Sequence, residues 1–435
     1  MVVAVSEGAC RVGSPHPSNT GGGYDRSVSI QSRHHALVLG GGIQGMSTAF
    51  AMTEAGWSVT VIDRLPLPLM GTSLRGEGKL HLGYVYGNDP SRATAALMLE
   101  GALAFAETLE RWLPAPLAWD LLRSEPFLYA VLPDSMVGVE ALAGHYAWVD
   151  DVVVGRFAAG ASYAGKSEFR PVELLRPSER HGFVGDVQAV FKTSEVAVDP
   201  ELLRESFLAG TVERGVSFLG NTTVHAVERA EHGFRVSCTN STGATVSHRA
   251  DVVINCLWDG RLAIDATLGI RPSRPWSYRL KYAVHGTLPG GIQEPPSVTY
   301  VLGPFGDVVR RASGRIYASW YPECLAGWSD ELVVPPEWRP ALDSVASEPM
   351  RRDVATRTLR ALSRLVPALS HLRVDMVTAG VIVAWGDTDI DQLDSELHRR
   401  DAIGVHAHDG YFSVDTGKLT TAPLFAQRVA DMLAQ

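Results

Sequence analysis

The stretch HALVLGGGIQGMSTAFAMTEAGWSVTVIDR, residues 35–64, decides the fold of this chain. It reads as a buried apolar strand, a glycine turn, an amphipathic helix and a second strand that ends at Asp63. Gly40, Gly42 and Gly45 have the spacing G-x-G-x-x-G. In such a turn the first glycine permits the tight bend, the second lets the backbone approach a pyrophosphate, and the third lets the helix pack closely on the strand. The stretch therefore predicts a dinucleotide site in an α/β domain.

The predicted site uses three parts of this stretch. The glycine turn and the helix N-terminus offer N–H groups and the positive end of the helix dipole to the pyrophosphate. The Asp63 carboxylate is placed to accept hydrogen bonds from the adenosine ribose. The motif alone does not distinguish FAD from NAD. The cofactor-binding residues predicted here are Gly40, Gly41, Gly42, Ile43, Gln44, Gly45, Asp63 and Arg64.

Composition narrows the class of protein and of partner. The 435 residues are 46% hydrophobic and 20% charged, as is typical of globular proteins. The net charge of −9 disfavours nucleic acids and anionic membranes as partners. No apolar run reaches the roughly 20 residues that a membrane-spanning helix needs, so no span is expected. The cysteines form no C-x-x-C pair, so we expect neither a metal site nor a disulfide framework, and a cytoplasmic location. They are Cys10, Cys238, Cys256 and Cys324.

Two domains are expected within an α/β fold class. One is a Rossmann-type dinucleotide-binding domain with a parallel sheet, and the other is a substrate-binding domain with a mixed or antiparallel sheet. The N-terminal segment, rich in Gly and Ser, has no hydrophobic periodicity and is expected to be a disordered extension. The predicted ranges are 1–33 for the extension, 34–114, 196–265 and 372–435 for the dinucleotide domain, and 115–195 and 266–371 for the substrate domain.

Local patterns predict several further elements. Asp89-Pro90 is an N-cap followed by proline and starts a helix that runs to Trp112. Residues 79–83 alternate like a strand that carries two cationic or titratable side chains. Residues 116–195 are expected to form short strands and loops. The aromatic stretch 271–322 alternates as a half-buried antiparallel sheet does.

With these pieces in view, the chain resembles the D-amino-acid-oxidase-type FAD-dependent oxidoreductases over most of residues 35–435. That family includes glycine and sarcosine oxidases and, more distantly, glycerol-3-phosphate dehydrogenase and L-2-hydroxyglutarate oxidase. The resemblance implies FAD. Non-covalent attachment is favoured, because no motif demands a covalent link. It is carried by residues 40–64, by Gly71-Thr72-Ser73 with Gly78-Lys79-Leu80-His81, by Val196-Ala197-Val198-Asp199-Pro200 with Thr223-Val224, and by Asp415-Thr416-Gly417-Lys418-Leu419-Thr420-Thr421.

The resemblance also implies further cofactor contacts outside the opening stretch. The loop after the second strand is expected to wrap the pyrophosphate and pass the flavin ring, and the late turn is expected to close over the ring. One departure is Leu257-Trp258, where the family has a small residue and glycine after the strand 252–256. The implied contacts are Thr72, Ser73, Lys79, His81, Val224, Gly417, Lys418, Leu419 and Thr420.

The substrate site departs from the family pattern. Amino-acid oxidases commonly clamp the substrate carboxylate with an arginine that follows a glycine near the C-terminal strand, but residues 379–383 read AGVIV. Arg279 and Lys281 on the aromatic sheet are the alternative cations. Tyr317 and Trp320 of the same sheet complete the predicted substrate residues. For His398 and Arg400 the sequence leaves structural pairing and pocket lining open.

The implied chemistry is hydride transfer to flavin from a C–H bond beside nitrogen or oxygen. Lys79 and His81 are predicted to lie nearest the ring, where a cation favours anionic reduced flavin and helps dioxygen accept an electron. No motif demands a covalent link through Cys256, Cys324 or His81.

Four functions are consistent with the sequence. The leading prediction is oxidation of an amine or amino acid to an imine, with O2 as acceptor and a small molecule as substrate. The second is oxidation of an alcohol carbon in a hydroxy acid or polyol phosphate. An NAD(P)-binding reductase would leave the middle and C-terminal segments unexplained, and a non-catalytic protein would keep FAD without turnover. The oligomeric state is left open.

Overall fold

The opening strand, helix and strand form as the sequence predicts, in a computed structural model that describes residues 34–180, 182–343 and 347–435. The expected disordered extension, 1–33, lies outside these described residues. The first strand is buried along almost its whole length, and the helix after it buries its first ten residues. Burial on both faces explains why the strand is apolar without alternation.

The described strands are numbered in chain order. They are β1 (His35–Leu39), β2 (Ser58–Ile62), β3 (Lys79–Leu80), β4 (Leu128–Val131), β5 (Glu173–Leu174), β6 (Ala189–Lys192), β7 (Val196–Ala197), β8 (Ser217–Leu219), β9 (Thr223–Arg229), β10 (Phe234–Thr239), β11 (Thr245–Ala250), β12 (Val252–Asn255), β13 (Trp276–Thr287), β14 (Val298–Val301), β15 (Gly306–Arg310), β16 (Ile316–Trp320), β17 (Leu325–Ser329), β18 (Arg373–Trp385), β19 (Gly404–His408) and β20 (Tyr411–Asp415).

The described α-helices are numbered in the same way. They are α1 (Ile43–Glu54), α2 (Thr72–Arg75), α3 (Ala93–Trp112), α4 (Trp119–Leu122), α5 (Val139–Ala158), α6 (Pro200–Glu213), α7 (Arg261–Thr267), α8 (Tyr321–Cys324), α9 (Arg339–Asp343), α10 (Glu348–Ser363) and α11 (Ala422–Ala434). Among them, none combines the length and the hydropathy that crossing a bilayer requires.

The first sheet is the predicted Rossmann-type sheet. Its strand order is β19-β20-β12-β1-β2-β8, and every pair except the antiparallel β19–β20 edge is parallel. A three-stranded antiparallel sheet, β11-β10-β9, packs its apolar face against this sheet. Because ligands of open α/β sheets bind at the carboxyl ends of the strands, this architecture places the site after β1 and β2.

The second sheet has nine strands and is mixed, as predicted. Its order is β17-β13-β16-β15-β14-β4-β6-β5, and β18 pairs along the length of β13. The pairs are antiparallel except for β14 with β4. The fold class is therefore confirmed: a parallel α/β sheet and a mixed, mostly antiparallel sheet in one chain.

The domain boundaries stay a prediction, because the described residues belong to one compact unit. Within it, β18 belongs to the nine-stranded sheet although it lies in the range 372–435, which was assigned to the dinucleotide domain. The strands of 115–195 and 266–371 lie in the nine-stranded sheet as expected.

The expectation of short strands and loops over residues 116–195 is wrong for α5. This helix is 20 residues long and buries Leu142, Tyr146, Val149 and Val153 on one face. These positions follow a helical period. Gly144 interrupts the pattern with the lower helix propensity of glycine, and packing on the core outweighs that preference.

Two predicted elements are shorter than expected. The long helix begins at Ala93 and not at Asp89-Pro90, because residues before it form a turn in which Arg92 has φ 60°. Asp89 still caps this end, since its carboxylate accepts hydrogen bonds from the N–H groups of Ser91 and Thr94. Only the first two residues of 79–83 pair as a strand, with β7.

Candidate active site

One large cavity, of about 980 Å³, runs from the glycine turn to the face of the nine-stranded sheet. This volume lies at the upper end of the range of small-molecule and cofactor sites. Its lining includes Gly40 and Asp63, which follow β1 and β2, and Arg279 and Lys281 of β13. The two predicted halves of the site, for a dinucleotide and for a substrate, therefore open into the same space.

The glycine turn has the tight geometry that its spacing predicts. Gly40 has φ +97°, and a Cβ there would lie 2.6 Å from the Cys256 carbonyl oxygen. At Gly45 a Cβ would lie 1.8 Å from the Gly40 carbonyl oxygen. Gly42 lines the cavity, and a Cβ there would lie 3.2 Å from Ser73 Oγ. Glycine therefore serves the bend, the open face toward the cavity and the helix packing, one at each position.

Asp63 lies where the ribose-binding acid was predicted, and it also shapes the turn. Its carboxylate accepts hydrogen bonds from Gly41 N, at 2.5 Å, and Leu65 N, at 2.7 Å. Burial raises the pKa of Asp63, against the opposing effect of these two backbone bonds. The residue lines the cavity.

Two ion pairs bridge the rim of the cavity near the glycine turn. Each joins a residue that follows a strand of the six-stranded sheet to a residue of α9. Arg64 pairs with Asp343, and Arg339 pairs with Asp259 at 3.2 Å. Trp258, part of the sequence departure Leu257-Trp258, donates from Nε1 to the Val381 carbonyl at 2.8 Å. These contacts fix the rim of the cavity around the predicted adenosine end.

Lys79 lines the cavity but is held by acceptors around it. Its Nζ donates to Asp307 Oδ1 at 2.7 Å and to Thr299 Oγ1 at 2.5 Å, and it lies 4.5 Å from the centre of the Phe127 ring. Burial would raise the pKa of Asp307, but Lys79 and Lys281 outweigh burial and lower it. Lys79 is therefore one half of a buried ion pair.

His81 is the buried lining residue whose ring is least satisfied. It is 3% exposed, and neither Nδ1 nor Nε2 has a hydrogen-bond partner. Its backbone N–H donates to Thr420 Oγ1 at 2.9 Å, which fixes the segment that carries the ring. Burial, followed by the charges of Lys418 and Lys79, lowers the pKa of His81 well below its ordinary value. The ring is therefore a neutral imidazole that faces the cavity.

Behind His81 lies Glu195, which is 0% exposed. Its carboxylate accepts hydrogen bonds from Leu82 N at 2.6 Å and from the Tyr129 hydroxyl at 2.5 Å. Burial raises the pKa of Glu195 to about 7, against the opposing charge of Lys79. Sequence reasoning missed this residue, because the segment that carries the family resemblance begins at Val196, one residue after it.

The late turn brings Lys418 to the same end of the cavity. Burial lowers the pKa of Lys418 to about 8, and Glu77 opposes that effect. Burial would raise the pKa of Glu77, but Lys418 and other lysines lower it. The α11 helix follows this turn and directs its N-terminal end toward the turn residues that line the cavity.

Arg279 is the buried cation of the sheet face. It is 2% exposed, and its Nη2 donates to Ser277 Oγ at 2.9 Å. Its Nε makes no hydrogen bond and lies 3.6 Å from Asp389 Oδ1. Its guanidinium also lies 4.3 Å from the centre of the Trp328 ring. Burial lowers the pKa of Arg279 to about 10, so the side chain stays cationic near neutral pH.

The structure brings most predicted site residues together in the cavity lining. These are Gly40, Gly42, Ile43, Gln44, Asp63, Arg64, Thr72, Ser73, Lys79, His81, Val224, Arg279, Lys281, Tyr317, Gly417, Lys418 and Leu419. His398 and Arg400 line it as well.

Four predicted residues lie outside the lining. Gly41 and Gly45 belong to the glycine turn but do not line the cavity. The Thr420 hydroxyl accepts a hydrogen bond from His81 N and donates one to the Lys79 carbonyl. Trp320 packs against Tyr300 and Phe305, at ring centroid distances of 5.7 and 5.8 Å. Tyr317 and Trp320 are three residues apart on β16, so they lie on opposite faces of the sheet.

The two cysteines considered for a covalent flavin link, Cys256 and Cys324, differ in their position relative to the cavity. Cys256 lines the cavity with its thiol near Thr48, and burial raises its pKa to about 12. Cys324 lies outside the lining and contacts Thr358 Oγ1 at 3.3 Å. Across residues 34–180, 182–343 and 347–435, no group of three His, Cys, Asp or Glu side chains is placed to hold a metal ion.

Comparison with known sequences reveals relatives over part of the chain. A family model described as DAO, FAD dependent oxidoreductase, matches residues 35–432. A D-amino acid dehydrogenase from Rhodopseudomonas palustris (strain HaA2) is 46% identical over 257 residues, which cover 49% of this chain and 58% of that protein. The chain spans little more than half the length of the curated relatives with the longest matches.

Comparison with solved structures covers almost the whole chain. Glycine oxidase from Geobacillus kaustophilus superposes with a TM-score of 0.65 at 16% identity, over 92% of this chain and 95% of that chain. Dithionite-reduced L-α-glycerophosphate oxidase from Mycoplasma pneumoniae with FAD bound superposes with a TM-score of 0.63 at 16% identity, over 93% and 95%. At these identities the likeness shows a shared fold.

Proposed function

Because this chain belongs to the DAO family of FAD dependent oxidoreductases, we propose that it oxidises an amine or amino acid at the C–H bond next to nitrogen, which gives an imine, with dioxygen as the electron acceptor. FAD supplies the hydride-accepting chemistry when it is bound. The observation that carries the proposal is the shared cavity, which joins the glycine turn to a sheet face with buried, incompletely bonded polar groups.

The residues of the cavity fit FAD. Gly42, at the N-terminus of α1, leaves an open space in the cavity lining that a Cβ would fill, 3.2 Å from Ser73 Oγ. The cavity extends about 980 Å³ from this turn, and His81 presents two ring nitrogens without partners. We propose that the glycine turn after β1 holds the pyrophosphate and that Asp63 after β2 holds the adenosine, both at the edge of the six-stranded sheet. The nine-stranded sheet then holds the substrate.

Two cations of β13 are proposed to orient the substrate carboxylate. β18 carries no arginine after Gly380, but the register places Lys281 of β13 directly opposite that glycine. Arg279 faces the same cavity two residues away, opposite Ile382. A carboxylate that binds either cation would lie beside β18, where Gly380 puts no side chain into the cavity.

His81 is proposed to hold and release a proton at the reacting end. A neutral imidazole with free ring nitrogens accepts a proton from an ammonium or hydroxyl group, whereas an imidazolium could not. Lys79 is proposed to act through its ion pair with Asp307, whose dipole lies beside the cavity. Lys418 supplies positive charge at the turn, which favours electron transfer to dioxygen.

Non-covalent attachment of FAD is part of the proposal. The cavity thiol of Cys256 has its pKa raised to about 12 by burial, so it is not a thiolate near neutral pH. Cys324 lies outside the lining. The described thiols are free and buried, which supports the proposed reducing, cytoplasmic location.

The first experiment is the visible spectrum of the purified protein before and after acid precipitation, followed by anaerobic bleaching with amines and amino acids. We expect a flavin spectrum that moves to the supernatant, donors that bleach it, ammonia in the products, and hydrogen peroxide on readmission of air. Colour that stays in the pellet would contradict non-covalent binding. Full FAD occupancy without turnover by any donor would contradict the enzymatic proposal. Reoxidation by dyes but not by air would contradict dioxygen as acceptor.

Oxidation of an alcohol carbon is the second candidate. The free nitrogens of His81 favour it, because a hydroxyl donor must lose its proton to a base as the hydride leaves. Hydroxy acids and polyol phosphates that bleach the flavin and give a carbonyl product without ammonia would select this reaction over the amine reaction.

A further inference from the structure

Some charged side chains in the described cavity lining form ion pairs with each other, and others do not. At the adenosine end, Arg64 pairs with Asp343 and Arg339 pairs with Asp259. Further in, Lys79 pairs with Asp307. Within the lining that the structure describes, these ion pairs leave five cations and two carboxylates. Arg75, which binds the Leu342 and Ala379 carbonyls near Arg64, and Asp63 belong to the adenosine end, so four cations and one carboxylate remain at the substrate end. The four cations are Arg279, Lys281, Arg400 and Lys418, and the carboxylate is Glu77.

Three of these four cations interact with a nearby carboxylate, and among the described contacts Arg400 does not. Glu77 opposes the burial-driven fall in the pKa of Lys418, so these two compensate each other. Asp389, behind the lining, lies 3.6 Å from Arg279 Nε, but its Oδ1 already accepts a hydrogen bond from the Tyr321 hydroxyl at 2.8 Å. The pairing of Arg279 is therefore partial.

Arg400 binds only backbone through its guanidinium among the described contacts. Its Nη1 donates to the Val383 carbonyl at 3.1 Å. It lies close enough to Arg279 to lower the pKa of that residue further, after the larger effect of burial. The register places Arg279 opposite Ile382, which is next to Val383, so the two guanidinium groups lie in one region of the cavity and repel each other. Such an arrangement is stabilised when an anion binds between them.

Lys281 is a separate positive centre. No ion pair or hydrogen bond holds its ammonium among the described contacts, and the residue is half-buried. Burial would raise the pKa of Glu77 and Asp307, but lysines that include Lys281 lower both. Lys281 thus lies toward the Lys79 end, while Arg400 lies toward Arg279.

Buried hydroxyl groups without partners line the same end. The hydroxyl oxygens of Tyr86 and Tyr300 have no hydrogen-bond partner, although the residues are 5% and 3% exposed. Both line the cavity. Because an unsatisfied buried hydroxyl is costly, these groups favour a ligand rich in hydrogen-bond acceptors.

We propose that the substrate carries two acidic groups, of which one binds Lys281 and the other binds between Arg279 and Arg400. This inference rests on the proposed function and narrows its substrate class to dianionic amines or hydroxy acids. Arg279 and Lys281 are two residues apart on one strand face, roughly 7 Å, so the acidic groups are separated by a short carbon chain. The second group is a carboxylate or a phosphate-like group, since arginine pairs bind both.

The test measures binding of non-reacting probes to the FAD-loaded protein through the perturbation of the flavin absorbance. Glutarate and butyrate have similar chains but carry two and one acidic groups. We expect glutarate to bind at least about tenfold more tightly than butyrate. In a parallel titration, 4-phosphonobutyrate keeps the three methylenes of glutarate and replaces one carboxylate by a phosphonate. Tighter binding of this probe than of glutarate assigns the second group to phosphate, and weaker binding assigns it to carboxylate.

Variants locate the second acidic group. Arg400→Gln should weaken glutarate binding by about tenfold or more and leave butyrate binding within about twofold. Arg400→Lys keeps the charge and should retain most of the preference for glutarate. Arg428→Gln, which removes an exposed arginine paired with Glu100, is the matched control for loss of one positive charge.

Three results would overturn the inference. They are equal binding of glutarate and butyrate, no binding of either, and equal weakening of both probes in Arg400→Gln. Thermal unfolding and FAD content of each variant show whether it is folded. Failure of the proposed function gives a different result: probes bind as expected, but no donor reduces the flavin.

Discussion

His81 Nδ1 lies 3.7 Å from Glu195 Oε1, with both side chains buried and only the histidine in the cavity lining. The same oxygen accepts a hydrogen bond from the Tyr129 hydroxyl, and Oε2 accepts one from Leu82 N. The pKa values of these two neighbouring groups shift in opposite directions. Burial holds the pKa of His81 well below its ordinary value and raises the pKa of Glu195 to about 7. The imidazole is kept neutral, while the carboxylic acid changes charge near neutral pH.

Glu195 makes stability depend on pH. Because its folded pKa, about 7, lies above the ordinary value of 4.5, the folded state binds the proton more tightly than the unfolded state. Stability should therefore fall as pH rises from about 5 to about 7, by at most about 3 kcal/mol. Lys79, His81, Asp307 and the surrounding tyrosines also face this carboxylate. Lys79 and Asp307 form an ion pair, and burial lowers the pKa of His81 and raises the pKa of Tyr129 and Tyr163.

The measurement is urea unfolding of the wild type and Glu195→Gln at several pH values. The variant lacks the ionisable group, so its free energy of unfolding should fall less than that of the wild type over this range. Glu231→Gln, at an exposed turn, is the control and should follow the wild type. Parallel pH profiles for all three proteins would contradict the raised pKa of Glu195.

His81 should matter for turnover and not for FAD content. His81→Gln removes the free imidazole nitrogen, and we expect flavin reduction by a donor to slow by about a hundredfold or more, as loss of a general base does. His285→Gln is a matched control, because His285 is also buried but bonds Thr378 and lies outside the lining. Stopped-flow reduction at saturating donor measures the effect. Equal rates in the two variants would remove His81 from the chemistry.

Local sequence patterns were sufficient to predict the elements whose determining residues lie close together in the chain. Residues 35–64 carry their own strand periods, turn glycines and helix face, so the first sheet and the glycine turn could be predicted from them. The same holds for strand alternation on β13, which placed Arg279 and Lys281 on one face. Tyr317 and Trp320 were both predicted as substrate residues, although their odd spacing on β16 places them on opposite faces of the sheet.

Contacts between distant segments could not be predicted in this way. Lys79 meets Asp307, and Leu82 meets Glu195, because β3 pairs with β7 and β15 packs beside them. No local spacing in the sequence records such pairings. A buried carboxylate next to apolar strands was the available clue, since ionised groups are rarely buried without a partner.

Gly45 should be indispensable for FAD binding. In Gly45→Ala the new methyl would lie 1.8 Å from the Gly40 carbonyl oxygen, so α1 must move away from β1 and open the turn. We expect purified variant with little or no bound FAD, measured as the ratio of visible to ultraviolet absorbance. Gly144→Ala is the control on an exposed face of α5 with nothing within 4 Å, and it should be neutral or stabilising. FAD content equal to that of the wild type in Gly45→Ala would contradict this account of the turn.

Arg261 should be a large contributor to stability although it lies outside the cavity lining. Its guanidinium lies 3.4 Å from Asp265 and 3.2 Å from Asp415, and all three side chains are buried. Arg261→Met leaves two carboxylates buried without their cation, and we expect a loss of about 3–5 kcal/mol in urea unfolding.

The control for Arg261 is Arg229→Gln, which breaks an exposed pair with Asp409 and should cost less than about 1 kcal/mol. Asp415 immediately precedes the turn that brings Lys418 to the cavity, so the Arg261 variant should also hold FAD less tightly. Spectral titration of the variant with FAD measures this second effect. If both variants lost the same stability and bound FAD equally well, Arg261 would not position the turn, and the buried network would serve packing alone.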